Sequence, residues 1–429
     1  MTRRALILVE GHSRIGLLYM KAAKRLGLHP ITLSSDPSRH DYLAAETIEA
    51  IRIDTDDPEA LIRECSRLRA MYDIAGITGF SGDDESTYAT VGKLCRHFDL
   101  PGPNPASVQR CCNKFTQRQL LANAGLPMPA YRLAANAAEV ESAAAQIGLP
   151  VVLKPLQGSG SIGVRLCGNV DELAEHAAYL LGEKHACPSS PQILVEEFIQ
   201  GQHYSADIMG NEVIGIEAAE FGPPPNFIFR EYTHPAPLTD EEYKRIADIS
   251  LSCLQALGLG WGPSFVESRW TNRGPVVIEV NPRIGGGANP QLVQLAYGVD
   301  LVTEHIKLVV GDEPDLRKRR SHAAGARFLI ADRDGTLDWI RGDSQAAALP
   351  GVAEVELYAK ATTPIVRKGD HRDRIGHIIA ASPNRASVAA ILERAVDLVS
   401  WSITPFPTPS GREQTEDSHP PAEVTLGNR

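Results

Sequence analysis

The sequence predicts an α/β and α+β protein, with a Rossmann-like domain in front and mixed strand–helix lobes behind it. Two observations carry this. Strands and helices alternate over the first hundred residues, which implies a parallel sheet with helices on both faces. Beyond the punctuation at Leu100–Pro101–Gly102–Pro103–Asn104–Pro105, short apolar runs and helical stretches follow one another without that regular alternation.

In chain order, Ala5–Val9 reads as a buried strand and Ile15–Arg25 as a helix. Pro30–Leu33 and Ile51–Ile53 read as strands. Asp57–Pro58–Glu59 offers an N-cap with proline at the first helical position, opening a helix to about Arg69. Ile74–Ile77 is the next strand. Gly11–His12–Ser13–Arg14–Ile15–Gly16 occupies the place of a dinucleotide fingerprint but lacks its middle glycine. It reads as a tight strand-to-helix turn ahead of a phosphate site. A helix through Leu120–Ala124 stops at Gly125 and Pro127. Tyr131 to about Val195 mixes strands with one helix, roughly Val170–Gly182. Leu238–Thr239–Asp240–Glu241–Glu242 starts a helix with acidic residues at the positive end of its dipole. Leu292–Val310 reads as a further helical stretch. Ala323 to Ser402, with a helix at Arg385–Leu398, reads as a small terminal subdomain. The Pro-, Ser- and acid-rich residues after Ser402 read as a disordered tail.

Composition narrows the function. The chain has 429 residues, enough for two or three domains. A net charge of −10 argues against nucleic acid as the main partner. No apolar run approaches a membrane span, and the start reads as a strand rather than a signal peptide. The seven cysteines show no metal spacing, and Cys111–Cys112 read as reduced thiols. A cytoplasmic address follows by default. The basic run Arg317–Arg320 reads as a solvated linker.

The chemistry concentrates in Val276–Gly287. Val277, Glu279 and Asn281 alternate in a strand-like run, so one face is expected to carry all three, with Glu279 and Asn281 roughly 7 Å apart. Oxygen ligands at that spacing suit a hard cation such as Mg²⁺. Phe265–Trp270 precedes a turn at Thr271–Pro275, and a hairpin centred on Arg273 sets Glu267 opposite Glu279. Facing carboxylates repel; a divalent cation between them turns the repulsion into a site. Upstream, Val151–Val152–Leu153–Lys154–Pro155 runs into Gln157–Gly158–Ser159–Gly160–Ser161–Ile162–Gly163. Glycines admit phosphate oxygens to the backbone, Ser159 and Ser161 add donors, and Lys154 neutralises charge. The lysine precedes the glycines, so this is not a P-loop. A mobile loop beside a lysine also suits a lid over ATP. Gln192–Ile199 is an apolar strand that can offer adenine backbone groups and an apolar wall.

Taken in order, these elements resemble the ATP-grasp superfamily from about Ala5 to Ser402. The matching pieces are Asn113–Lys114, the Gly125–Leu126–Pro127–Met128–Pro129 stop, Lys154 with its loop, Val195–Glu196–Glu197–Phe198–Ile199, and Glu267, Glu279, Asn281 and Arg283. The resemblance implies a pre-ATP-grasp domain (1–104), a first lobe with a lid loop (105–195) and a second lobe with the metal site (196–320). A C-terminal subdomain (321–402) and the tail (403–429) complete the expected division. It also implies ATP phosphates on Lys114 and Lys154, with Ser159, Gly160 and Ser161 over them. Adenine is expected against Glu196 and Phe198, through backbone, with Glu197 and Ile199 beside it. Two Mg²⁺ ions, or Mn²⁺ in their place, are expected on Glu267, Glu279 and Asn281, and Arg283 on the transferring phosphoryl group. Members often carry a ribose-binding glutamate in a G-x-E pattern; here Gly201–Gln202–His203 stands there, so His203 takes that expectation, with Asp207 further on.

Asn281–Pro282–Arg283–Ile284–Gly285–Gly286–Gly287 and the segment Gly369–His377 resemble the L-amino acid ligase branch. That branch implies a carboxylate–amine ligase working through an acyl-phosphate, with an amino acid as at least one substrate. Positioning can supply roughly 7–11 kcal/mol of such a barrier. His234, in Glu231–Tyr232–Thr233–His234–Pro235, is the candidate for substrate contact or proton handling. Rival readings are a ligase of a siderophore or other secondary-metabolite pathway, a non-catalytic ATP-binding regulator and a Rossmann-type oxidoreductase. Small-molecule acid and amine are the expected partners, with homodimer formation left open. The loops at Glu217–Arg230 and Gly285–Gln291 are expected to shape the pocket.

Overall fold

A computed structural model describes residues 2–80, 85–182 and 192–407. The first domain is a four-stranded parallel sheet ordered Glu49–Arg52, His29–Ser34, Arg4–Glu10 and Asp73–Phe80. Its central residues Ala5 to Val9 are fully buried, as an uninterrupted apolar run demands of a strand covered on both faces. The helix Pro58–Arg69 starts where the sequence puts it: Asp57 accepts from the Glu59 and Ala60 N–H groups at 2.9 and 3.1 Å. Gly11 and Gly16 form a tight turn, because a Cβ on Gly16 would lie 2.2 Å from the Gly11 carbonyl oxygen. His12, Arg14, Arg39, His40 and Phe80, from the carboxyl ends of these strands, all line one large cavity, the usual place for a ligand in an open parallel sheet.

The first lobe is a four-stranded antiparallel sheet ordered Tyr131–Ala134, Ile193–Glu197, Val151–Pro155 and Arg165–Cys167. Two helices cover it, not the one expected. Besides Val170–Leu181, the alanine-rich Ala137–Ile147 forms a helix capped by Asn136.

The second lobe is built on an eight-stranded antiparallel sheet. Its order is Gly274–Asn281, Pro263–Thr271, Gln202–Met209, Glu212–Phe221, Phe229–His234, Ala323–Ile330, Arg374–Ser382 and Val352–Leu357. Ala323–Ile330 hydrogen-bonds directly to Phe229–His234, so the C-terminal strands continue the sheet that carries Glu279. The helix Asp240–Leu257 begins with a reciprocal capping box between Thr239 and Glu242. The stretch Leu292–Val310 is two helices, Asn289–Tyr297 and Leu301–Val309. Gly298 ends the first at φ +72° and Asp300 caps the second, both readable stop and start signals. Ile403 and Thr404, expected in the tail, complete the strand Ser400–Thr404; the rest of that expectation, from residue 408, lies outside the described residues. Among the described residues no helix is long and apolar enough to cross a membrane. Six cysteines there are buried and free, Cys111 and Cys112 among them.

Candidate active site

The hairpin Pro263–Thr271/Gly274–Asn281 pairs Glu267 with Glu279 and Phe265 with Asn281. The turn is two residues, Asn272–Arg273, so simple counting would place Glu267 opposite Ile278. A bulge at Ile278 shifts the register by one and brings the two glutamates face to face. The bulge also overturns one expectation. Val277 packs in the core with Val280, whereas Ile278 and Glu279 line a cavity of about 120 Å³.

That narrow cavity gathers most of the expected set. Lys114, Lys154, Ser159, Gly160, Ser161, Glu196, Glu197, Phe198, Ile199, His203, Glu267, Glu279 and Arg283 all line it. Asn281 sits just behind, its Nδ2 donating to Glu267 Oε1 at 3.4 Å and its Oδ1 accepting from Arg283 Nη2 at 3.4 Å. Asp207, the alternative to His203, is 2% exposed and lines neither cavity described here.

The helix Lys114–Asn123 positions much of this. Asn113 caps it, and the Lys114 N–H donates to Leu156 O at 2.9 Å, fastening the helix to the chain just past Lys154. The Gln117 side-chain amide exchanges two 2.9 Å hydrogen bonds with the Val280 backbone. Arg118, 1% exposed, donates to Glu196 and to the Ile278 carbonyl. It was not anticipated from sequence, although it lies one turn from Lys114 on the same helix face. The Glu196 carboxylate is held between Arg118 and Lys154. Burial alone would raise its pKa, but the two cations outweigh burial and hold it at about 2. Lys154 is thus pinned by a carboxylate beside the lid loop.

The charges around the hairpin are uneven. Burial first, and Glu279 second, push Glu267 up to about 8. Burial also works against the charge of the half-buried Glu279, yet Lys114, then Lys154 and Arg283, hold its pKa below the usual carboxylate range. Lys114 Nζ donates to Glu279 and, at 2.9 Å, to Gly158 O of the lid loop. Arg283 is braced by Glu85, whose Oε1 accepts from its Nε at 3.1 Å. Glu85 is 198 residues away in sequence and stands at the N-cap of the helix Ser86–His97. His203 is buried between Phe221 and Phe229, with Nε2 3.5 Å from Glu267 Oε2. Burial, then Arg269, pushes its pKa down to about 3, so its imidazole is neutral.

The glycine- and serine-rich loop after Lys154 touches the C-terminal segment. The His371 backbone N–H and ring Nδ1 both approach the Gly160 carbonyl, at 3.3 and 3.1 Å. Gly160 has φ +64°, and a Cβ there would lie 2.3 Å from His371 Nδ1. Gly160→Ala is therefore expected to raise the KM for ATP about tenfold, from left-handed strain plus the clash. Adding His371→Ala should recover the clash component and leave the strain; steady-state kinetics on both variants check this.

A second cavity of about 1100 Å³ adjoins the first. Ser159, Gly160, Phe227, Phe229, Glu267 and Arg283 line both, so Glu267 and Arg283 stand where the two spaces meet, and Glu279 lines the narrow one alone.

The comparisons with known proteins bear on this arrangement. The ATP-grasp domain profile matches residues 147–291, and that of L-amino acid ligase C-terminal domain 2 matches residues 327–404. The chain belongs to the ATP-grasp family. It is 58% identical over 412 residues to the uncharacterized protein y4rH of Sinorhizobium fredii, across 96% of this chain and 86% of that protein. It is 26% identical over 410 residues to human carnosine synthase 1, covering 88% of this chain but only 48% of that longer enzyme. In structure it resembles the L-amino acid ligase from Bacillus licheniformis, with a TM-score of 0.77 and 20% identity over 94% of this chain and all of that one.

One expected residue lies outside both cavities. His234 is 0% exposed and lines neither cavity described here, which corrects its assignment to substrate contact. Its Nε2 lies 3.3 Å from both Asp207 Oδ2 and Glu217 Oε2, and the Asn289 amide donates to the same two oxygens at 3.2 and 2.8 Å. Asn289 opens the helix after the glycine run, so this cluster supports the loop beyond Arg283 from beneath. Burial lowers the His234 pKa, but the hydrogen bonds to Asp207 and Glu217 outweigh it and raise the value to about 9. Because the folded value exceeds the unfolded one of about 6.5, the stabilisation is complete below pH 6.5 and lost as pH rises to 9. His234→Gln is expected to cost roughly 3 kcal/mol near pH 6, the deficit closing above pH 9. Urea unfolding of both proteins across that range measures it.

Proposed function

We propose that the protein is an ATP-dependent carboxylate–amine ligase that activates its acid as an acyl-phosphate and releases ADP and phosphate, with an amino acid as at least one substrate. The observation that carries this reading is that Glu267 and Arg283 line both the narrow and the large cavity, with Glu279 facing Glu267 on the narrow side and Asn281 bonded to Glu267 and Arg283 behind them. A nucleotide in the narrow cavity and an acid in the large one would approach each other across Arg283.

The residues fit a divalent cation. Two half-buried carboxylates face each other, and mutual repulsion adds to burial in keeping Glu267 protonated up to about pH 8. An oxygen-rich set of that kind suits Mg²⁺. Glu267, Glu279 and Asn281 would hold it, and the ion would offset the negative charge of ATP and acid.

The protein's own groups do the rest. Lys154, pinned by Glu196, and Lys114, tied to the lid loop at Gly158, present fixed positive charge to the phosphates. The lid, with Gly160 docked on His371, closes the cavity to water. The acid oxygen attacks the γ-phosphorus and ADP leaves. Arg283, oriented by Glu85 and Asn281, meets the charge that develops on the transferred phosphoryl group. The amine nitrogen then attacks the acyl carbon; the C–O bond breaks, and phosphate leaves with the electron pair and takes up the amine proton. Because His234 is sealed away, no proton shuttle through it is part of this scheme. ADP formation should require both an acid and Mg²⁺ when amino acids are offered in pairs. ATP binding with no acid-dependent ADP from any pair would support the regulator reading instead.

A further inference from the structure

The large cavity contains a cation that the chemistry above does not use. Of the five arginines in its wall, Arg39 is exposed to solvent and three are matched by carboxylates: Arg14 by Glu354 and Glu356, Arg283 by Glu85, and Arg372 by Asp370. Arg14 also fills the one cluster with metal-like spacing among the described residues, Glu354, Glu356 and His377, which is therefore already supplied with a cation. Arg374 is different. It stacks over the Phe328 ring at 3.8 Å, and its Nη2 donates to the Phe229 carbonyl at 3.3 Å. Among the described residues no carboxylate pairs with it, and its Nε is buried without a hydrogen-bond partner.

A half-buried guanidinium without a counter-ion has lost hydration that no protein anion restores. The aromatic stack and the carbonyl fix its direction, and neither neutralises it. Its Nη1 lies 3.9 Å from where a Cβ on Gly287 would be, and Gly286 has open space around it. Neither glycine places a side chain between Arg374 and the cavity, directly beyond Arg283. Arg374 lines the large cavity and not the narrow one, whereas Lys114 and Lys154 line the narrow one alone. The anion it faces therefore belongs on the organic-substrate side.

We infer that Arg374 is a specificity residue that binds the non-reacting carboxylate of the amine substrate. The inference rests on the ligase reading above. In that reaction the acid's carboxylate is consumed next to Arg283, so a second anion in the same cavity belongs to the other partner. An amino acid acting as the amine keeps its carboxylate throughout. Planar, two-pronged donors on a fixed guanidinium match that group.

The test uses the full-length protein, its Arg374→Gln and Arg374→Lys variants, ATP, Mg²⁺ and the twenty standard amino acids as acids. The acceptors are hydroxylamine, which has no carboxylate, the same amino acids, and the carboxamide of the best acceptor. For the native protein, kcat/KM for the best amino acid should exceed that for its carboxamide by roughly 10–100-fold, the worth of a charge-assisted pair. Arg374→Gln should collapse that preference to near unity and lower the ratio of amino-acid to hydroxylamine activity by the same factor. Arg374→Lys should fall between. An equal loss with all acceptors would assign Arg374 a structural role and overturn the inference. So would a preference that survives the substitution, a KM change confined to the acid, or hydroxamate formation with no amino acid accepted. If the native protein makes no hydroxamate from any acid, the ligase reading itself fails for these substrates and takes this inference with it.

Discussion

Glu267→Gln is expected to lower acid-dependent ADP formation by about 10³-fold while raising the unfolding temperature in the absence of Mg²⁺. The two effects share one cause. Glu267 is half-buried and faces Glu279 across the bulged hairpin, so its folded pKa of about 8 lies far above the ordinary carboxylate value of 4.5. The ionised form is disfavoured in the folded state, so this glutamate costs nothing below pH 4.5 and progressively more as pH rises to 8. Glutamine removes that cost and the negative charge together. The apo variant should melt roughly 2–6 °C higher at pH 8, with little difference at pH 4.5. Adding Mg²⁺ and ATP should stabilise the native protein and not the variant. Thermal denaturation at both pH values, with and without Mg²⁺–ATP, measures each part. A variant that melts lower than the native protein at pH 8 would show that the glutamate pair is a structural asset and not a cation site.

Arg283→Met should cut kcat by roughly 10²–10³-fold and leave the KM for ATP within a few-fold. Arg283 lines both cavities, with Glu85 and Asn281 orienting its Nε and Nη2. On the proposed reading, its place at the junction makes it matter for the transferring group more than for nucleotide in the narrow cavity, which Lys114 and Lys154 line. Removing it leaves Glu85, 7% exposed, without its cation, so about 1–3 kcal/mol of stability should be lost as well. Arg283→Lys keeps the charge without the fork and should recover only part of the rate. An ATP KM raised in proportion to the lost kcat would assign Arg283 to nucleotide binding instead.

Much of the site was legible in the sequence because its residues sit on short, regular segments. A hairpin centred on Arg273 led to Glu267 opposite Glu279, and that pairing is observed. The means differed: the pairing needs a bulge at Ile278, which no local signal announced and which moved Val277 into the core. The break between Asn289–Tyr297 and Leu301–Val309 was marked by Gly298 and Asp300, yet apolar periodicity on both sides masked it. His234 was misplaced because a strand pattern fixes that side chains alternate, not which layer will cover a given face. Here Asp207, Glu217 and Asn289, all distant in sequence, bury it. The same reason hid Glu85 and Arg118, which act through tertiary partners, although Arg118 lies one turn from Lys114. Arg374 lay inside the segment Gly369–His377, but its place in the large cavity is set by Phe229 and Phe328, distant in sequence.

In the proposed reaction an oxygen of the acid becomes bonded to phosphorus. The direct measurement is to label the carboxylate oxygens of the most active amino acid with ¹⁸O, run the reaction with ATP, Mg²⁺ and an amine, and examine the released phosphate by ³¹P NMR. Activation as an acyl-phosphate predicts one ¹⁸O atom per inorganic phosphate, with ADP as the nucleotide product. Unlabelled phosphate, or label appearing in AMP, would contradict it.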